Sequence, residues 1–97
     1  MALTRLRFST QFRNELHREY EFLQSNNPPV ARSVVERIIK ASLRLREFPR
    51  SGRSWRLAGA WELVVPGVPY VVIYDITEDD VILLALFHTS RDVPHAQ

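Results

Sequence analysis

Five side chains in the second half of the chain are of types that hold anions or move protons. Arg53 and Arg56 lie in the segment RSGRSWR, Glu62 stands between Trp61 and Leu63, and His88 and Arg91 belong to the closing run LFHTSR. Arginines in a glycine-containing loop can grip phosphate or the acidic side chains of a partner, and a solvated loop charge is the simpler use. Glu62 can serve as a base or pair with a neighbouring arginine. Histidine is the side chain suited to proton exchange near neutral pH, so His88 can act as acid or base or orient a strand end by a hydrogen bond. Arg91 can reach a phosphate or a carboxylate, or pair with Asp92 or Asp75. Trp55 and Trp61 can stack on a base, anchor a partner or fill a core. The histidines His17, His88 and His95 are far apart and cysteine is absent. Neither a metal nor a cofactor is expected.

These residues need a scaffold, and the stretch from Val68 to Arg91 supplies its centre. Two runs rich in Val, Ile, Tyr and Leu, Tyr70 to Ile76 and Val81 to His88, flank the polar segment Thr77-Glu78-Asp79-Asp80. This is the pattern of a β-hairpin. Odd and even positions are both apolar, whereas a strand with one wet face would alternate. Both strands are therefore expected to be covered on two sides, by helices on one face and by loops or a partner chain on the other.

Upstream, Leu3 to Phe8 alternates weakly and reads as a short first strand. Ser9 or Thr10 offers a helix cap, and Phe12, Leu16, Tyr20 and Leu23 form one stripe of a helix ending near Ser25. Asn26-Asn27-Pro28-Pro29 stops that helix and starts another, because asparagine caps well and proline is tolerated in a first turn. The second helix is expected to run to about Phe48, with Val34, Ile38, Ala41, Leu45 and Phe48 on its apolar stripe and Pro49 as its terminator. The short connection implies an antiparallel helical hairpin. Trp55 to Leu57 and Trp61 to Val65 read as two further short strands around Ala58-Gly59-Ala60. Residues 92 to 97 read as a frayed tail. The expected order is β-α-α-β-β-β, an α+β domain over residues 1–97 with a four-stranded antiparallel sheet and the helical hairpin on one face.

The 97 residues, 45% hydrophobic, suffice for one core and one domain. The longest apolar run, Val81 to Phe87, is far too short to span a membrane, and Arg5 and Arg7 interrupt the N-terminus where an export signal would be apolar. A soluble, cytoplasmic chain without a membrane partner is expected. Its net charge of +2 hides a division. Residues 32 to 56 carry eight bases against two acids, whereas residues 57 to 97 carry Arg91 against six acids. Such a basic block is either a solvated helix face or the footprint of a polyanion or acidic protein.

The order of elements, with Asn27-Pro28 and Ala31 between the helices, Pro49 and Gly52-Arg53 after them, Glu62-Leu63, Tyr70-Val71-Val72-Ile73-Tyr74, Leu86-Phe87-His88 and Arg91-Asp92, resembles the RelE/ParE superfamily. Its members are toxins of bacterial type II toxin-antitoxin, or plasmid stabilisation, modules. The resemblance implies neutralisation by a cognate antitoxin and one of two targets. RelE-like members cleave mRNA on the ribosome by attack of a 2′-hydroxyl on the adjacent phosphate, for which Glu62, His88, Arg91 and Arg53 would be the base, acid and cations. ParE-like members poison DNA gyrase without a nuclease centre. Ribonuclease members carry an arginine where this chain has Val71, lysines after the second helix where the sole lysine is Lys40 inside it, and a C-terminal tyrosine where this chain ends Val93-Pro94-His95-Ala96-Gln97. These departures and the YVVIY strand place the chain nearer the ParE branch. Growth inhibition through DNA gyrase is the expectation, mRNA interferase activity the alternative and an inactive interaction module a second one. Arg53, Arg56, Trp55, Trp61 and Arg91 are the expected partner- or nucleic-acid-binding residues.

Overall fold

The computed structural model describes residues 4–56 and 59–91. The chain forms β1 (Arg5–Phe8), α1 (Thr10–Asn26), α2 (Pro28–Leu43), two short 3-10 turns (Arg44–Arg46 and Pro49–Ser51), β2 (Arg53–Ser54), β3 (Ala60–Val64), β4 (Tyr70–Ile76) and β5 (Asp80–His88). The strands lie in the order β1-β5-β4-β3-β2. The α+β architecture agrees with the sequence reading, and β4 and β5 form the expected antiparallel centre.

The sheet has five strands rather than four and is mixed. β1 runs parallel to β5, with Arg5 opposite Asp80 and Phe8 opposite Leu83. The reason lies in the helical hairpin: two antiparallel helices return the chain to the end of the sheet where β1 stopped, so β2 runs against β1, and the three antiparallel steps from β2 to β5 bring β5 parallel to it. The strand expected at Trp55 to Leu57 is instead Arg53–Ser54, paired with Glu62 and Trp61. Leu57 and Ala58, Leu3 and the expected tail at 92–97 lie outside the described residues.

Local chemistry explains the helical ends. The Ser9 Oγ accepts from the Phe12 amide at 3.0 Å and caps α1. Asn27 serves both helices, donating its amide to the Leu23 carbonyl at 2.8 Å while its side chain accepts from Val30 at 3.4 Å. Pro28 then occupies a first-turn position where no amide hydrogen is needed.

The helices cover one face of the sheet. Phe12, Ile38 and Leu45 pack with Tyr70, Val72, Tyr74, Val81, Leu83 and Leu86, all buried. Phe48 departs from the expected stripe and is 55% exposed. The α-helix ends at Leu43, and the 3-10 turn that follows winds at about three residues per turn. That change of phase, together with the non-helical backbone of Phe48 ahead of Pro49, turns Phe48 outward. Among the described residues, no helix is long and apolar enough to cross a membrane.

β5 bulges at Leu84: Ile73 is opposite Ala85 while Tyr74 is opposite Leu83. There β1 has ended, and α1 supplies the missing edge partners. The Ser9 hydroxyl donates to the Leu84 carbonyl at 3.1 Å, and the Leu86 amide donates to the Glu15 carboxylate at 2.8 Å.

Candidate functional site

The expected site residues fall into two groups on opposite faces of the sheet. On the face away from the helices, Glu62 is opposite Ile73, which is opposite Ala85. The Arg53 guanidinium donates to the Glu62 carboxylate at 2.9 Å across the β2–β3 pair. Gly52 makes this approach possible: a Cβ there would overlap the Glu62 carbonyl oxygen and the Tyr74 hydroxyl. Trp55 is half-buried, its ring 6.2 Å from that of Phe87, and the Arg56 guanidinium lies 5.8 Å from the Trp55 ring centre. Val64 on this face is 52% exposed, while Ile73 is buried. The result is a shallow apolar floor rimmed by two arginines.

Strand alternation puts the second group on the helix side. His88 is opposite Tyr70, their rings meeting edge to face at 5.2 Å. The His88 Nδ1 accepts from the amides of Ser90 at 3.1 Å and Arg91 at 3.3 Å, which holds the turn after β5. Arg91 pairs with Glu19 of α1 and lies 5.4 Å above the Phe22 ring. Glu19 also accepts from the Tyr70 hydroxyl at 2.6 Å. A phosphate gripped by Arg53 beside Glu62 would therefore lie across the sheet from His88. Along the strands the two are three register positions apart, about 10 Å at the usual rise per residue.

Trp61, an expected binding residue, faces the helices instead. It is half-buried and stacks on Tyr74 with ring centres 6.3 Å apart. Tyr74 in turn donates to the Pro49 carbonyl at 2.7 Å and accepts from the Gly52 amide at 3.1 Å. Burial pushes its hydroxyl pKa above the ordinary value of 10.0, although the Gly52 hydrogen bond works in the opposite direction. Tyr74 thus fixes the base of the loop that carries Arg53 and Arg56.

Two features escaped the residue-by-residue reading. One is the Glu15 and Glu19 pair, four residues apart beside the apolar stripe of α1; carboxylates that close to a buried stripe are a sign that a partner waits for them. The other is a groove of about 350 Å³ between α2 and β3, lined by Arg37, Lys40, Arg44, Ser51 and Val64 among others. Its cations were visible only as part of the basic block. Among the described residues, no cluster of His, Cys, Asp or Glu could hold a metal ion.

A family model described as the ParE toxin of the type II toxin-antitoxin system parDE matches residues 6–93. The Sinorhizobium fredii chain named "Putative toxin Y4kP" is 32% identical over 94 residues, covering 97% of each chain. A solved structure of the chromosomal ParDE toxin-antitoxin system from P. aeruginosa superposes with a TM-score of 0.82 at 15% identity, over 91% of this chain and 98% of the other. The toxin-antitoxin complex RelBE2 from Mycobacterium tuberculosis superposes with a TM-score of 0.64 at 22% identity, over 89% and 98%.

Proposed function

The chain belongs to the ParE family of toxins from type II toxin-antitoxin systems, and on that premise we propose that it arrests growth by binding and inhibiting DNA gyrase in the cytoplasm, without cutting RNA. The observation that carries this reading is the separation of Glu62 from His88. A ribonuclease needs its base, its acid and its cations within hydrogen-bond reach of one phosphate. Here the carboxylate and the imidazole stand on opposite faces of the sheet, and each already has partners: Arg53 for Glu62, and two turn amides for the Nδ1 of His88. Val71, at the position where ribonuclease relatives carry an arginine, adds no charge to stabilise a transition state. One missing charged donor typically costs about 10²-fold or more in rate.

A cognate antitoxin restrains the protein. The face bearing Arg53, Arg56, Trp55 and the exposed Val64 suits a segment with an apolar anchor and flanking acids.

The test is a pair of assays on the purified chain. With gyrase and relaxed plasmid, supercoiling is expected to be lost in proportion to added protein. In a translating extract, messages are expected to remain whole. Codon-dependent cleavage abolished by His88→Ala or Arg91→Ala would overturn the reading and restore the ribonuclease.

A further inference from the structure

We propose that the groove between α2 and β3, continued by the turn that bears Phe48, binds single-stranded nucleic acid. Arg37 and Lys40 are three residues apart on one side of α2, Arg44 follows four residues on as the cap of that helix, still in helical backbone, and all three line the groove with Ser51. At the helical rise of 1.5 Å per residue they span roughly 10 Å, room for two or three successive phosphates. Arg5, Arg7, Arg53 and Arg91 each have a carboxylate partner. Among the described residues, Arg37, Lys40 and Arg44 form no ion pair, so their charge is available to a ligand.

Ser51 also borders a second recess, of about 410 Å³, lined by Phe48, Pro49 and Arg50. Phe48 is more than half exposed and has no aromatic partner among the described residues. An exposed ring beside a track of cations is what a single strand uses: bases stack on the ring and phosphates follow the positive groove. In a duplex the bases are already stacked on one another and cannot reach the ring, so the exposed Phe48 favours a single strand. An acidic peptide could answer the same cations, but the ring gives it no comparable advantage.

This groove meets the Arg53–Glu62 face at Val64 but uses other cations, and its test needs neither gyrase nor antitoxin, so each proposal can fail without the other. Fluorescence anisotropy of the full chain with short oligothymidine, oligouridine and a DNA duplex is the measurement, between about 50 and 200 mM salt where phosphate contacts dominate affinity. Single strands are expected to bind more tightly than duplex, and the preference between the first two identifies DNA or RNA as the ligand. Removing three phosphate contacts in Arg37→Gln/Lys40→Gln/Arg44→Gln should flatten the log–log salt slope by about 2. Loss of one stacked base in Phe48→Ala should weaken binding by about tenfold and leave the slope unchanged. Arg13→Gln/Arg18→Gln, on the other helix, should change nothing, and circular dichroism melts confirm that each variant is folded. The proposal is overturned by absence of binding at the lowest salt, by equal or tighter binding of duplex, or by equal losses in the α1 control. It is also overturned if oligoglutamate displaces the strand and only its binding depends on the α2 cations and Phe48, which would assign the groove to a protein.

Discussion

The Tyr74 hydroxyl donates to the Pro49 carbonyl across 2.7 Å and so joins the middle of β4 to the turn that launches the basic loop. The same oxygen accepts from the Gly52 amide. One buried phenol therefore sets where Arg53 begins, and its packing partner Trp61 holds the ring in place.

Tyr74→Phe leaves the Pro49 carbonyl and the Gly52 amide without that partner and should cost about 1–2 kcal/mol in urea denaturation. Hydrogen exchange should quicken in residues 49–56 before it does so in β4. The hydroxyl also makes stability depend on pH. Because burial raises the folded pKa above 10.0, the unfolded chain loses its proton first as pH rises. The stabilisation is full below pH 10 and is lost as pH climbs through the folded value, so wild type should weaken above pH 10 more steeply than Tyr74→Phe.

Gly52→Ala places a methyl group against the Glu62 carbonyl and the Tyr74 hydroxyl, neither of which can yield without breaking the β2–β3 pair. A loss of roughly 1–3 kcal/mol, the usual range for overpacking, is expected in thermal unfolding. Unchanged melting would mean that the loop backbone is free to move away from β3.

Glu19 accepts from Tyr70 and pairs with Arg91, and the two roles separate by substitution. Glu19→Gln keeps an acceptor for the Tyr70 hydroxyl and loses only a partly exposed ion pair, worth about 1 kcal/mol at most. Glu19→Ala removes the acceptor that the Tyr70 hydroxyl uses on α1 and should cost about 1–3 kcal/mol. Equal losses in denaturant titrations of the two variants would show that the ion pair, not the Tyr70 hydrogen bond, is what Glu19 contributes.

Arg53→Glu/Arg56→Glu should weaken the complex with the cognate antitoxin by at least about tenfold at low salt, through loss of attraction at the rim. Rising salt should narrow the gap between variant and wild type, because screening removes the same term from both. Titration calorimetry at two salt concentrations decides the matter: equal affinities at low salt would place the antitoxin elsewhere.

Much of the scaffold was legible because its signals are local. The runs Tyr70 to Ile76 and Val81 to His88 are dense in β-formers, and Asn27-Pro28 carries a helix stop and a helix start in adjacent residues. The parallel partner of β1 was not legible, because pairing between segments so far apart leaves no mark on either sequence. Phe48 was misplaced because a helical stripe extrapolates one period, and the change to 3-10 winding at Arg44 resets it. The candidate acid and base could be named from their types, but which face each occupies depends on register across three strands.

The pairing of β1 with β5 also governs when the protein comes into being. Arg5 meets Asp80 and Phe8 meets Leu83, so β1 has no sheet neighbour until β5 is made, more than 70 residues later. Closing so long a loop is entropically costly and slow, and the local helical hairpin forms ahead of it. A nascent chain halted before residue 80 should thus remain open to protease, with Leu6 and Phe8 uncovered, whereas the finished chain resists. Toxicity is then expected only once β5 has been made, and a message broken ahead of the β5 codons to yield a harmless fragment.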